Sequence, residues 1–262
     1  MVEVRGLTKS YDEPNGGQLV AVGNANLSCN AGEIYGLLGP NGAGKTTTLR
    51  CLATVLKPTA GTATVAGFDL LQHPEDVRRN IGFLSGTTGL YQRLTPRETV
   101  RFFGELYGLA GDQLEARVET VLQLFRITEY ADRANDRLST GMKQRVGLAR
   151  AVVHDPPVVI LDEPTSGLDP IVTRDVEDAI TALARAGRCV LLSTHSLSQA
   201  EDLCAKIGVI AHGKVLAEGT PAELCASTQT PNLRKAFFNL IEMYDPLSVT
   251  ASPGLSEDRG RA

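Results

Sequence analysis

Short runs of consecutive apolar residues alternate along this chain with longer stretches in which apolar positions recur every three or four residues. Ile34-Tyr35-Gly36-Leu37-Leu38, Val158-Val159-Ile160-Leu161 and Cys189-Val190-Leu191-Leu192-Ser193 are almost uninterrupted, the texture of strands buried on both faces of a parallel sheet. Between the last two, Val172, Val176, Ile180 and Leu183 keep helical spacing, so the order is strand, helix, strand, and the sheet is expected to be parallel. Thr62–Val65, after the turn Pro58-Thr59-Ala60-Gly61, and Ile81–Leu84 read as further strands, and the run from Thr46 to Leu56 is expected to carry a helix. The predicted class is α/β, with a mixed, mainly parallel sheet.

Three regions depart from that rhythm. Near the start, Val2–Arg5 and Leu19–Val22 flank Pro14-Asn15-Gly16-Gly17, a turn signal that predicts an antiparallel β unit. From about residue 95 the chain turns helical: Thr95-Pro96-Arg97-Glu98 reads as a capping box with proline at the first helical position, opening a helix through Leu106. Leu114, Val118, Val121, Leu122 and Phe125 follow at helical spacing. This predicts an inserted α-helical subdomain, about residues 86–150, inside a domain spanning 1–225. Beyond it, Ile207–Ile210 and Lys214–Ala217 flank His212-Gly213 as a hairpin, and residues 226–262 are expected to be a C-terminal helical segment and a frayed tail.

At 262 residues, 42% hydrophobic and 21% charged, the chain has the composition of an ordinary globular protein. Its net charge of −4 offers no electrostatic footprint for nucleic acid, which needs clustered Lys and Arg. No stretch reaches the roughly 18 apolar residues of a membrane span, and the start lacks a basic then apolar leader, so the chain is expected to remain in the cytosol. Its five cysteines, at 29, 51, 189, 204 and 225, have no close spacing for zinc or redox work and read as small buried hydrophobes.

The chemistry begins directly after the first apolar run. Gly39-Pro40-Asn41-Gly42-Ala43-Gly44-Lys45-Thr46 fits the phosphate-loop pattern of Gly, four residues, Gly, Lys, then Ser or Thr. It stands where that pattern is meaningful, between a strand and a helix start. Glycines let the backbone close around phosphates while the N–H groups and positive end of the helix face the anion. Lys45 adds a point charge, and Thr46 offers a hydroxyl to Mg²⁺.

Two other strand ends carry matching groups. Asp162 and Glu163 follow strand 158–161, at the edge where open α/β sheets bind ligands. Asp162 is suited to hold Mg²⁺ and Glu163 to polarise an attacking water as general base. As neighbours in a strand they are expected to face opposite sides of the sheet. His195, after the run 189–193, stands where it can contact a γ-phosphate or, as a lone histidine more often does, serve the structure. Ser139 reads as the N-cap of a helix running to Val153, with exposed N–H groups above it. Tyr11 stands ahead of the loop, where an aromatic ring can stack on a base or simply pack half-exposed.

Taken in order, Gly39–Thr46, Leu138–Arg145, Val158–Glu163, Ser166-Gly167-Leu168-Asp169 and His195 resemble the motifs of the nucleotide-binding subunit of an ATP-binding cassette (ABC) transporter, over about residues 2 to 225. The resemblance implies a P-loop NTPase core that hydrolyses ATP with Mg²⁺. Tyr11 would stack on adenine, and Gly39, Pro40, Asn41, Gly42, Ala43, Gly44, Lys45, Thr46 and Thr47 would bind the phosphates. Thr46 and Asp162 would hold the metal, with Glu163 and His195 catalytic. Ser139 and Gly141 fall on the signature motif, which acts on nucleotide held by the other subunit of a head-to-tail dimer, and Asp169 falls on the loop crossing that interface. One phosphate loop per chain then demands a second cassette, most simply another copy.

Two motifs depart from the family. Thr140 and Met142 replace a Gly and the Gln of the usual Leu-Ser-Gly-Gly-Gln, and Gly86 stands where a metal-sensing glutamine is usual, with Thr87 or Thr88 as the nearest substitutes. The segment Ile81–Tyr91 followed by Leu94-Thr95-Pro96 resembles a branch that includes sodium-export and drug-export cassettes. The implied function is an ATPase subunit at the cytoplasmic side of the membrane, driving export through a separate membrane-spanning partner docked near residues 85 to 110. A soluble ABC-type ATPase would call for tandem cassettes, a coiled coil or a basic face. A regulatory module that holds ATP without turnover would be expected to lack Glu163.

Overall fold

A computed structural model describes residues 1–244 apart from Asn15, Thr87 and Thr88; the expected tail after Asp245 and the two threonines proposed to replace the glutamine lie outside the described residues. The antiparallel unit is more extensive than its apolar residues indicate. Strands β1 (Val2–Asp12) and β2 (Gln18–Cys29) pair along most of their length, and β4 (Ala60–Val65) and β5 (Phe68–Asp69) complete a four-stranded sheet in the order β2-β1-β4-β5.

The apolar runs form a second sheet from β3 (Ile34–Leu38), β6 (Ile81–Leu84), β7 (Val158–Asp162), β8 (Cys189–Thr194), β9 (Lys206–Ala211) and β10 (Lys214–Gly219). Its order is β10-β9-β3-β8-β7-β6, parallel except for the hairpin strand β10. Alternation within the buried runs sorts their side chains between two cores. Val159, Leu161, Val190 and Leu192 enter the core shared with the helical subdomain. Val158, Ile160, Cys189 and Leu191 enter the core shared with the antiparallel sheet and α1 (Lys45–Leu52). Runs that look uniform in sequence therefore still obey the two-residue period of a strand. Helix α1 stops at Leu52 instead of continuing to Leu56, because Thr54 turns to φ 57.

Helix α2 (Pro74–Arg79) precedes β6. The subdomain is built from α3 (Pro96–Leu106), α4 (Gly111–Leu124), single 3₁₀ turns at Thr128–Tyr130 and Asn135–Arg137, and α5 (Thr140–Val152). The capping box at Thr95 is present: Glu98 N–H donates to Thr95 Oγ1 and Thr95 N–H to the Glu98 carboxylate. Arg97 pairs with Glu119 and Asp132, tying the start of α3 to α4 and the turn beyond it.

Helix α6 (Pro170–Arg185) links β7 to β8, α7 (Leu197–Leu203) links β8 to β9, and α8 (Pro221–Ser227) and α9 (Leu233–Tyr244) close the chain. Helix α9 buries Leu233, Leu240 and Ile241 in the same core as the subdomain. Cys29, Cys51, Cys189 and Cys204 are buried and all five cysteines are free thiols. No helix of the described residues is long and apolar enough to cross a membrane.

Candidate active site

Strand β3 runs straight into the glycine loop, and two contacts explain its composition. A Cβ on Gly39 would lie 2.1 Å from the carbonyl oxygen of Ile210 in β9. One on Gly44 would lie 2.4 Å from the carbonyl of Ala21 in β2, at a residue whose φ is 104. The loop is therefore seated against both sheets, and only glycine fits at these points. Gly44 caps α1 with no side-chain hydrogen bond, which leaves the first N–H groups of the helix available to an anion.

Lys45 is 5% exposed and folds back over its own loop, donating from Nζ to the carbonyls of Gly39 at 2.7 Å and Pro40 at 3.1 Å. Its Nζ lies 3.3 Å from Glu163 Oε1. Thr46 Oγ1 donates to Asp162 Oδ1 at 3.0 Å. A concave site is lined by Ala21, Asn41, Gly42, Ala43, Gly44, Lys45, Thr46, Thr47 and Glu163. Ala21 had no sequence signal, since its place depends on how β2 lies across the loop.

The expectation that Asp162 and Glu163 face opposite sides of the sheet is corrected. Asp162 is the last residue of β7, and Glu163 lies beyond it with φ 50, the left-handed region that costs a non-glycine residue about 1–2 kcal/mol. That twist ends the alternation, so both carboxylates reach the loop: Asp162 meets Thr46, and Glu163 meets Lys45. His195 Nδ1 is 2.8 Å from Glu163 Oε2. Buried Ser193, also without a role in the sequence reading, donates from Oγ to Asp162 Oδ1 at 2.7 Å and accepts the Glu163 N–H at 2.9 Å.

These groups can neutralise a polyphosphate, supply hard oxygen ligands and present a carboxylate to water. Among the described residues no cluster of three His, Cys, Asp or Glu side chains forms a self-sufficient metal site. Thr46 and the nearly buried Asp162 instead suit a small hard cation that takes its remaining ligands from substrate and water.

Other predicted residues lie elsewhere. Ser139 caps α5, accepting the Met142 N–H at 3.3 Å, and Asp169 caps α6 by accepting the N–H groups of Ile171 and Val172, both at 3.0 Å. The two helix starts touch, since a Cβ on Gly141 would lie 2.9 Å from Val172 Cγ1. Asp175 of α6 accepts from Arg145 of α5 at 2.7 Å and pairs with Arg126. No hydrogen bond or ion pair among the described residues joins Ser139 or Gly141 to the glycine loop. Tyr11 pairs with Leu19 across β1 and β2, half-exposed, with Lys9 Nζ 5.1 Å above its ring. It does not line the site beside the loop.

A groove on the subdomain side is lined by Val55, Phe83, Phe103, Tyr107 and Arg150. Arg150 donates to the Gly89 carbonyl at 3.2 Å, and its guanidinium lies 5.1 Å over the Phe103 ring.

A parallel sheet whose first strand feeds a glycine loop, with a carboxylate pair at the end of β7, defines a P-loop nucleotide-binding protein. The comparisons narrow this. The family described as ABC transporter matches residues 22–166. "ABC transporter ATP-binding protein NatA" of Bacillus subtilis is 39% identical over 220 residues, covering 84% of this chain and 89% of that one. "Probable multidrug ABC transporter ATP-binding protein YbhF" of Escherichia coli is 36% identical over 250 residues, 94% of this chain. The chain spans 42% of the length of YbhF. Among solved structures, a dimer of the ATP-binding cassette MJ0796, in a post-hydrolysis state bound to ADP and Pi, superposes with a TM-score of 0.77 at 27% identity, covering 84% of this chain and 98% of that one. The chain belongs to the ABC transporter family and has the fold of its ATP-binding cassettes.

Proposed function

We propose that this chain is the ATP-hydrolysing subunit of an exporter, working as a head-to-tail dimer, most simply of two identical chains, against a separate membrane-spanning partner. The observation that carries the reading is a division of labour. Lys45, Thr46, Asp162, Glu163 and His195 converge on one site, while Ser139 and Gly141 are displayed on α5 with no contact to it. A complete site then needs the α5 start of a second chain. The relatives named for ATP binding and the MJ0796 dimer with ADP and Pi support this.

In that site the loop residues 39–47 bind the ATP phosphates, and Tyr11 offers its free ring face to adenine. Thr46 and Asp162 would hold Mg²⁺, which when bound spreads the charge of the β- and γ-phosphates. Glu163 takes the proton of the attacking water, and His195 holds Glu163 through Nδ1. Ser139 and Gly141 of the opposite chain close over the γ-phosphate. The groove at Phe83, Phe103, Tyr107 and Arg150 receives a cytoplasmic segment of the membrane partner, which places this subunit at the inner membrane surface. The exported substrate is a drug or sodium: the first is supported by the name of YbhF, the second by the resemblance of segment 81–96 to sodium-export cassettes.

The test mixes two inactive chains. Lys45→Ala removes the phosphate contact and Ser139→Phe blocks the opposing cap, so neither alone should hydrolyse ATP. Mixed one to one, random pairing leaves about a quarter of the sites intact, and that activity should appear. If mixing restores nothing while the wild type is active, the composite site is wrong.

A further inference from the structure

We infer that the Ser193 hydroxyl is a positioning residue for hydrolysis, clamping the metal-binding carboxylate and the general base as one unit; the inference rests on the ATPase reading proposed above. Strand β7, which delivers both carboxylates, has two neighbours in the sheet, β6 and β8. On the β6 side the chain supplies Gly86, where a Cβ would meet the Asp162 carbonyl at 3.5 Å. That glycine brings no side chain to bear on the site.

On the β8 side, Asp162 and Ser193 are register partners. Both lie on the face that carries Val158, Ile160, Cys189 and Leu191. The hydroxyl of Ser193 is fully buried and makes two hydrogen bonds of opposite sense. It donates to Asp162 Oδ1 at 2.7 Å and accepts from Glu163 N–H at 2.9 Å. Thr46 Oγ1 reaches the same Oδ1 at 3.0 Å. Two hydroxyls from two different elements therefore fix the rotation of the Asp162 carboxylate. One of them also holds the Glu163 amide at the point where its backbone turns left-handed.

Only a short hydroxyl can satisfy both partners, because it alone combines one donor with acceptor lone pairs at this size. Two residues on, the same strand end presents His195 to the Glu163 carboxylate. The end of β8 thus grips Glu163 twice, by its amide through Ser193 and by its side chain through His195. Without the first grip, the second holds a carboxylate whose backbone is free to relax.

The test compares Ser193→Thr with Ser193→Val in the full chain. The two replacements have nearly the same shape and differ by the hydroxyl. The threonine variant should keep kcat within about threefold of wild type. The valine variant should lose at least tenfold in kcat, on the scale by which small misplacements slow reactions, with the ATP Kd within about threefold. Hydrogen exchange of the nucleotide-free chain gives a second readout. In the valine variant the Glu163 amide has lost its acceptor and should exchange at least about tenfold faster than in the threonine variant, with strands β3 and β9 unchanged. Equal kcat values in the two variants, or equal exchange at Glu163, overturn the inference. If the wild type never turns over, the ATPase reading fails while the exchange comparison still decides whether Ser193 is the clamp.

Discussion

Lys45 Nζ lies 3.3 Å from Glu163 Oε1, so the loop cation is paired with the carboxylate that would activate water. An arriving phosphate must take Lys45 from that partner, and it meets the negative charge of Glu163 as it does so. Removing the charge should therefore help binding while ending chemistry. For Glu163→Gln we expect ATP to bind several-fold more tightly and turnover to fall by at least about a hundredfold, the usual scale for a lost general base. Fluorescent-nucleotide titration beside phosphate release checks both, and unchanged turnover would remove Glu163 from its role.

The His195 contact distinguishes the two ring nitrogens. Because Nδ1 meets Glu163 at 2.8 Å, asparagine can place an amide nitrogen near the same point, whereas the longer glutamine mimics the other ring nitrogen. His195→Asn should retain several-fold more kcat than His195→Gln, both with near-normal ATP affinity. The reverse order would mean that the far nitrogen carries the function.

An alanine series in the glycine loop should separate close approach from backbone strain. At Gly42, with φ 80 and open space around a Cβ, the cost is the left-handed penalty of about 1–2 kcal/mol. Gly39→Ala and Gly44→Ala drive a methyl to 2.1 and 2.4 Å from backbone carbonyls and should cost clearly more, seen as lower urea midpoints and loss of ATP binding. Equal costs at the three positions would contradict the seating of the loop.

His154 makes stability fall in acid. Its ring stacks on Tyr107 at 3.5 Å, Nε2 meets the Ile81 carbonyl at 3.0 Å, and Nδ1 is buried without a hydrogen-bond partner among the described residues. Burial lowers its pKa to about 4, with Arg117 adding to the effect and the Ile81 carbonyl and Asp155 opposing it. The unfolded chain thus binds the proton first. The neutral ring's contribution is complete above the ordinary value near 6.5 and is lost as pH falls toward 4, by about 2 kcal/mol at pH 5. His154→Phe should flatten that part of the pH dependence in urea titrations. An unchanged slope between pH 7 and 5 would show that other groups set it.

Much of the fold was legible in the sequence because the buried strands are apolar on both faces and the first subdomain helix carries its capping box openly. Strand β1 is longer than its apolar residues predict, since Thr8, Lys9 and Ser10 look like loop while they pair across the sheet. Helix α8 lies outside the predicted elements although it opens on the same signal as α3, Thr220-Pro221 followed by Glu223. Within the site, the loop and both carboxylates were visible as motifs. The convergence of Asp162 and Glu163 was not, because it depends on one left-handed residue. Nor was Ser193, whose partner sits on a neighbouring strand 31 positions away.

Helix α5 has a mechanical consequence. Its 13 residues make a rod of about 20 Å, with the Ser139 cap at one end and, near the other, Arg150 gripping the Gly89 carbonyl. Close to its middle, Gln144 Nε2 donates to the Pro164 carbonyl at 2.8 Å, just beyond Glu163. A beam held near its midpoint is a lever with almost equal arms and its fulcrum beside the reacting centre. A tilt imposed at the Ser139 end would reappear at the Phe103 groove with similar amplitude and opposite sense, so force could pass through the subdomain by leverage, with no need for a relay of side chains changing partners.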